Sequence, residues 1–363
     1  MMMIVQNFKK NSMKLKQLPG FCLLALFALA SCKKGSNPAP EPKLDTGIYL
    51  TGYQQGTPGS VLWKNGIATQ PAGFTTFISR GMLVNGNDMY IGGFIGSQTP
   101  VSIAAYWKNG VIKKLTDGTS DAQVWEMVVS GKDVYAAGYV GGYFASDPNT
   151  QVLSSMIAAY WKNGVLTTLT NTGPSQAEHI IVSGTDVYVV GTVFQNNTWQ
   201  SVYWKNGVLT QVGNPLNNVA IGGMAVQNNK IYIAYTETPQ INTGASISYM
   251  SINGVVSQLP NDLDASGVTS LFVNGTDVYI TGFVLPISVS QITAVVWKNG
   301  IPQKLPQIAG TSTPFNTASG VTVSGTDVYV TGQSQGAAVY WKNGVAVKVG
   351  NKVSSAYGIA IVH

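Results

Sequence analysis

"AVYWKNGV", residues 338–345, decides the fold, because near-copies of its core recur along the chain: "YWKNGV" at 106–111, 160–165 and 203–208, "LWKNGI" at 62–67 and "VWKNGI" at 296–301. Asn-Gly flanked by apolar residues is the strongest short hairpin signal, since a type I′ turn needs positive φ at both central positions. Asn-Gly of this hairpin falls at 65, 109, 163, 206, 253, 299 and 343, in steps of 44, 54, 43, 47, 46 and 44 residues. A second marker runs in parallel: "GIYLTG" (47–52), "DMYIGG" (88–93), "DVYAAG" (133–138), "DVYVVG" (186–191), "KIYIAY" (230–235), "DVYITG" (277–282) and "DVYVTG" (327–332).

Each unit reads as four short strands. The last comprises "GVTVSG" (320–325), "DVYVTG" (327–332), "AVYWK" (338–342) and "VAVKV" (345–349), with no helical spacing anywhere. Four antiparallel strands in about 44 residues, seven times over, is the pattern of an all-β, seven-bladed β-propeller. Apolar and polar residues do not alternate cleanly, and the neighbours Tyr340 and Trp341 must point to opposite faces. Both faces of a blade are therefore expected to be buried, as stacking between two other blades requires. The domain opens at a second strand, "GIYLTG", and ends on "YGIAIVH" (357–363), a first strand without partners. Pairing this C-terminal strand in the first blade closes the ring and removes its free edges. Ser251 stands where Trp is expected in blade five, which predicts the loosest blade.

The units resemble kelch motifs, in which a strand like "IY-x-x-GG" precedes a later Tyr and Trp, as "DMYIGG" and "AYWKNG" do here. They are more similar still to bacterial extracellular repeats of the HAF type, which carry an "LW-x-NG" hairpin. Trp lies before the turn rather than after it as in kelch, and the glycine doublet is intact only at Gly92-Gly93. The resemblance covers residues 47–363 and implies a propeller, with no particular activity.

The first thirty-two residues belong to targeting. "MKLKQLPGFCLLALFALASC" (13–32) has lysines, an apolar run from Phe21 to Ala30 too short to span a bilayer, then Leu29-Ala30-Ser31-Cys32. This resembles a bacterial lipobox, which implies cleavage after residue 31, a lipidated Cys32 and membrane attachment through that lipid; an ordinary signal peptide is the alternative. Met13 is an alternative start. Residues 33–46, polar and proline-rich, read as an extended tether, and in similar lipoproteins such a stalk holds a domain off the outer membrane. Lys33 and Lys34 depart from the acidic residues that some bacteria use to send lipoproteins to the surface, so the membrane face stays open.

The whole chain has 363 residues, 45% apolar and 10% charged, and a formal charge of +6. Lys9, Lys10, Lys14 and Lys16 leave with the signal and no acidic residue does, so 21 basic residues become 17 against 15 acidic ones. That balance is not the footprint of a nucleic-acid binder. Cys22 lies in the discarded run and Cys32 would carry lipid, so no intrachain disulfide is expected.

Residues that recur in the repeated motif read as structural: Asp88, Asp133, Asp186, Asp277 and Asp327 are expected to stabilise turns. "GQSQG" (332–336) fits the G-x-S-x-G pattern, but no helix follows Ser334 and only His179 and His363 could serve as its base. No nucleotide-binding loop or metal-ligand spacing occurs, so no cofactor is expected; Asp262 and Asp264 read as a solvated loop. Superposing the first strands gives Gly81, Glu126, His179, Gly223, Ser270, Gly320 and Gly358 at their leading position, with Arg80, Trp125, Glu178 and Tyr357 just before. Glu126 and His179 break a glycine-rich set in adjacent blades at the expected mouth of the channel. A carboxylate, an imidazole and aromatics there suit a protein or glycan ligand, or an acid–base pair, beneath the overhang of residues 139–156. The expected role is a non-enzymatic binder at the cell envelope, with an envelope polysaccharide enzyme or a structural subunit as alternatives.

Overall fold

The repeated Asn-Gly turns adopt the conformation their chemistry calls for. Asn65, Asn109, Asn163, Asn206, Asn253, Asn299 and Asn343 have φ of 46–52°, and the glycines after them 82–96°. The asparagines add a contact that the turn alone does not require: the side-chain oxygen of Asn163 accepts the Val134 backbone N–H at 2.9 Å, tying the turn to the start of the preceding strand. In blades two, three, four, six and seven the amide also donates to the Asp of the "D-x-Y" marker, and Lys before the turn pairs with that Asp. The Lys ammonium lies 5.1–5.5 Å from the centre of the marker Tyr ring. The repeated aspartates thus fasten the second strand to the turn after the third.

The computed structural model describes residues 44–363 except 97–100, 143–155, 170–172, 196–197, 241–244, 261–264, 287–290, 310–314 and 351. Cys32, the signal segment, tether residues 33–43, most of the segment 139–156, Asp262 and Asp264 lie outside the described residues. Among the described residues there are 28 strands in seven four-stranded antiparallel sheets. Six blades follow chain order from inner to outer strand. Blade one is built from Gly47–Gln54, Val61–Lys64 and Ile67–Thr69, with Ser354–Val362 as its inner strand. That C-terminal strand pairs from Gly47↔Val362 to Gln54↔Ser354 and closes the ring. The other inner strands are Phe77–Asn85, Ala122–Ser130, Ser175–Ser183, Asn217–Gln227, Ala265–Asn274 and Asn316–Ser324. Each touches the inner strands of the blades on either side, in one closed cycle around the channel.

Packing between blades divides Tyr340 from Trp341 as the sequence requires. Trp341, fully buried, joins Val296, Leu305 and Ala318 on the side of blade six, while Tyr340 packs against Leu50, Val61 and Trp63 of blade one. Six of the seven inter-blade clusters contain one such Trp. The cluster between blades four and five has none, because Ser251 occupies its position in register opposite Ile233.

Two expectations need correction. Burial on both faces fails for the outermost strand of each blade, where Ile67, Val111, Val165, Val208, Val255, Ile301 and Val345 are 59–75% exposed. An outermost strand has a neighbour on one side only, and β-branched residues there serve strand formation rather than a core. Second, the inner strands begin before their assigned starts: blade seven runs from Asn316, not Gly320. Arg80, Trp125, Glu178 and Tyr357 are consequently inside strands rather than ahead of them.

Candidate binding site in the central channel

Every inner strand carries a β-bulge at the same place. The register slips at Arg80, Trp125, Glu178, Gly222, Thr269, Ser319 and Tyr357, each left without a partner on the neighbouring strand. A bulge kinks a strand, strengthens its twist and re-aims the side chains around the extra residue. The geometry demands space on the facing strand. A Cβ at Gly138 would stand 1.8 Å from the Gln123 carbonyl oxygen; at Gly52, Gly93, Gly191, Gly282 and Gly332 the equivalent distance is 1.9–2.0 Å. This accounts for the glycine that ends six of the seven "x-Y-x-x-G" markers. In blade five Tyr235 replaces that glycine and the bulge residue is itself Gly222.

Six of the seven bulge residues, all but Gly222, line a cavity of about 540 Å³ in the channel. Its large side chains fall on consecutive blades one to four: Tyr357, Arg80, Trp125 with Glu126, and Glu178 with His179. On the other side the small residues Thr269, Ser270, Ser319 and Gly320 line the wall together with Val321. At blade five a Cβ on Gly222 would lie 2.6 Å from the Val268 carbonyl carbon, so the inner strands of blades five and six come together closely there. The cavity is therefore lopsided, with a charged and aromatic arc facing a small-residue wall.

Within the arc Arg80 lies over the Trp125 ring, 4.2 Å from its centre, and over the Phe94 ring at 5.4 Å. Its terminal nitrogen donates to Gln123 Oε1 at 3.4 Å. Burial holds the guanidinium below its usual pKa, opposed by Tyr357 and Tyr139. Burial raises Tyr357, which Arg80 partly offsets. Tyr139 donates to buried Asp121 at 2.6 Å, and Asp121 also accepts the Ser102 backbone N–H, a brace behind the arc.

Glu126 and His179 do meet. Glu126 Oε2 lies 3.3 Å from His179 Nδ1 and accepts the Ile180 backbone N–H at 3.0 Å. Burial alone would lower the His179 pKa, but Glu126 and Glu178 outweigh it and the net direction is upward. Glu178 accepts a hydrogen bond from Gln176 at 2.8 Å, and its carboxyl is raised by burial against the lowering influence of His179 and Gln176. The arc thus shifts the imidazole toward its charged form relative to a free histidine. Ser334, by contrast, is fully buried at the end of its strand and accepts the Ile308 backbone N–H at 3.2 Å, outside the channel lining. Among the described residues no three His, Cys, Asp or Glu side chains converge as metal ligands would.

All six residues assigned from the sequence line this one cavity. Sequence reading missed Thr269 and Ser319, which share the bulge position with Arg80, and the supports Gln123, Gln176 and Tyr139. Thr269 and Ser319 were accessible by carrying the repeat alignment one residue back; Gln123 and Gln176 lie two residues before Trp125 and Glu178 in the same strands, and Tyr139 pairs with Gln123 from the neighbouring strand.

No protein-family model and no curated protein matches the chain. Among solved structures, the β-propeller domain of the Trilobed protease from Pyrococcus furiosus, described as having an open velcro topology, is similar over 86% of this chain and 96% of its own, with a TM-score of 0.50 and 10% identity. Two acylaminoacyl peptidases, one in complex with Z-Gly-Gly-Phe-chloromethyl ketone and one from Pyrococcus horikoshii, match at 10% and 11% identity with TM-scores of 0.47 and 0.46. They align with 86% and 84% of this chain, which spans about half of their length, 52% and 48%. At such identities the likeness concerns the propeller fold alone.

Proposed function

We propose that the protein is a lipid-anchored propeller of the cell envelope that binds a protein or glycan in its central channel without transforming it. One observation carries the binding role: the large side chains at the bulge positions, Tyr357, Arg80, Trp125 and Glu178, fall on four consecutive blades, while the opposite wall is small. A fold-wide structural need would place similar residues around the whole ring. Concentration on one arc instead supplies what a sugar or peptide requires: an aromatic face, a cation and carboxylates around a concave space. The envelope address rests on Leu29-Ala30-Ser31-Cys32 and the tether that follows, and the kelch-like and HAF-like character of the repeats supports an extracellular setting.

The runner-up, an envelope enzyme acting on polysaccharide, rests on the Glu126–His179 contact. Against it, Glu126 already serves the Ile180 N–H, and the two glutamates shift His179 toward its charged form. Cross-linking in intact cells, identification of what co-purifies, and binding of the purified chain to that material form the test. Binding lost in Trp125→Ala with the fold retained supports the proposal. Turnover abolished by Glu126→Ala in a folded protein selects the enzyme, and unchanged behaviour in both variants selects a structural subunit.

A further inference from the structure

Blade five lacks more than its Trp. Ser251 replaces the indole, Lys230 stands where five of the other blades have Asp, and Ile252 replaces the Lys before the turn, so the charged fastening of the hairpin is gone as well. The backbone keeps its place: Ser251 pairs with Ile233 as Trp297 pairs with Ile280 and Trp341 with Val330. The turn survives too, with Asn253 accepting the Ile231 N–H at 2.8 Å.

The vacated space is a cleft of about 440 Å³ between blades four and five. The equivalent cleft between blades six and seven, where Trp341 is present, measures about 200 Å³. Buried Ile233, Val212 and Tyr235 form the floor, Tyr203 adds a second aromatic wall, and exposed Val256 borders the mouth. Tyr235 is held in place by stacking on Tyr249, with ring centres 5.4 Å apart.

Two of the six indoles bond to a backbone carbonyl in this space, while Nε1 of Trp63, Trp107, Trp161 and Trp204 has no partner among the described residues. Trp297 Nε1 donates to the Pro260 carbonyl at 2.9 Å and Trp341 Nε1 to the Pro306 carbonyl at 2.8 Å. Those carbonyls belong to the residue after Leu259 and Leu305, whose N–H groups bond to Ser248 and Ala294. Val212, bonded in the same manner to Ser201, is followed by Gly213, which lines the cleft.

We propose that this cleft is a second binding site, which takes a free heteroaromatic molecule of indole size. The other blades define the occupant, since each closes the same space with one indole. A space one side chain deep and walled by strands of both blades admits a single ring, not a protein surface. Burying a planar aromatic there restores the apolar contacts that the substitution removed.

The test uses 5-fluoroindole as probe, followed by ¹⁹F NMR with the folded chain. Saturable binding to the native protein is expected. In Ser251→Trp, where the side chain fills the cleft, binding should weaken at least tenfold while the unfolding midpoint rises. Should that variant fail to fold, Ser251→Leu, which fills the floor only, serves for the same competition. Absence of saturable binding to the native chain, or binding that persists undiminished in a folded, filled variant, overturns the proposal. Trp125→Ala leaves this binding unchanged, which separates the cleft from the channel.

Discussion

His179 shows how a carboxylate 3.3 Å away, that of Glu126, shifts the titration of a buried imidazole. Burial pulls the imidazole pKa down and the two glutamates push it up by more, so the folded value exceeds the ordinary one of about 6.5. A group whose folded pKa is raised contributes stability that is complete below its unfolded value and disappears as pH rises through the folded one. Stability should therefore decline as pH rises above about 6.5, and His179→Gln should flatten that decline in denaturant titrations. With two histidines in the chain, ring-proton NMR can follow His179 directly. Its midpoint should fall in Glu126→Gln, where burial persists and the nearest carboxylate is neutral; an unmoved midpoint would mean that Glu126 does not set the charge. A second residue-scale prediction concerns Gly138. Gly138→Ala drives a methyl group into the Gln123 carbonyl, 1.8 Å away, and should cost at least the ~1–3 kcal/mol typical of overpacking. Chemical denaturation of the variant checks this.

At the scale of elements, the third strand with its turn acts as a fastener in three directions: Trp backward to the preceding blade, Tyr forward to the next, and Lys-Asn sideways to Asp. The exposed Lys–Asp pairs add little by themselves, because water screens them. Buried Trp161 dominates, and Trp161→Ala should destabilise by about 3–5 kcal/mol, read from equilibrium unfolding. Lys162→Ala in the same hairpin should change stability far less, because Lys162 and Asp133 are 49% and 37% exposed. Blade count and hairpins were legible because Asn-Gly turns are local chemistry, repeated seven times. The bulges were not, because a bulge is a mismatch between two strands and neither strand shows it alone. The one trace was the glycine at 52, 93, 138, 191, 282 and 332, which reads as an ordinary strand end until the Cβ clash with the facing carbonyl is known. This also explains why the six residues gather around one cavity although they sit inside strands rather than at strand starts. The vacancy at Ser251, a missing member of a repeated set, could be read directly.

For the whole molecule, the question is what keeps seven similar sheets in a ring. Each blade contacts its two neighbours, and blades two to seven are held to them by continuous chain. Blade one differs: the bond between beginning and end is the pairing of Gly47–Gln54 with Ser354–Val362. Residues 354–362 contribute Ala356, fully buried, to the cluster around Leu50 and Trp63, and Ser354 Oγ accepts the Ala338 N–H at 3.0 Å across to blade seven. Deleting residues 354–363 would therefore expose a strand edge on blade one, open a face of blade seven and remove Tyr357 from the channel arc. The expected outcome is a chain that unfolds with reduced cooperativity at a lower temperature and associates in size-exclusion chromatography. A synthetic peptide of residues 354–363 added in trans should restore the native elution position and melting profile, since the register is specified by eight residue pairs and a bulge at Tyr357. If the shortened chain kept the native midpoint without the peptide, the ring would be held by contacts between blades, and the terminal strand would only line the channel.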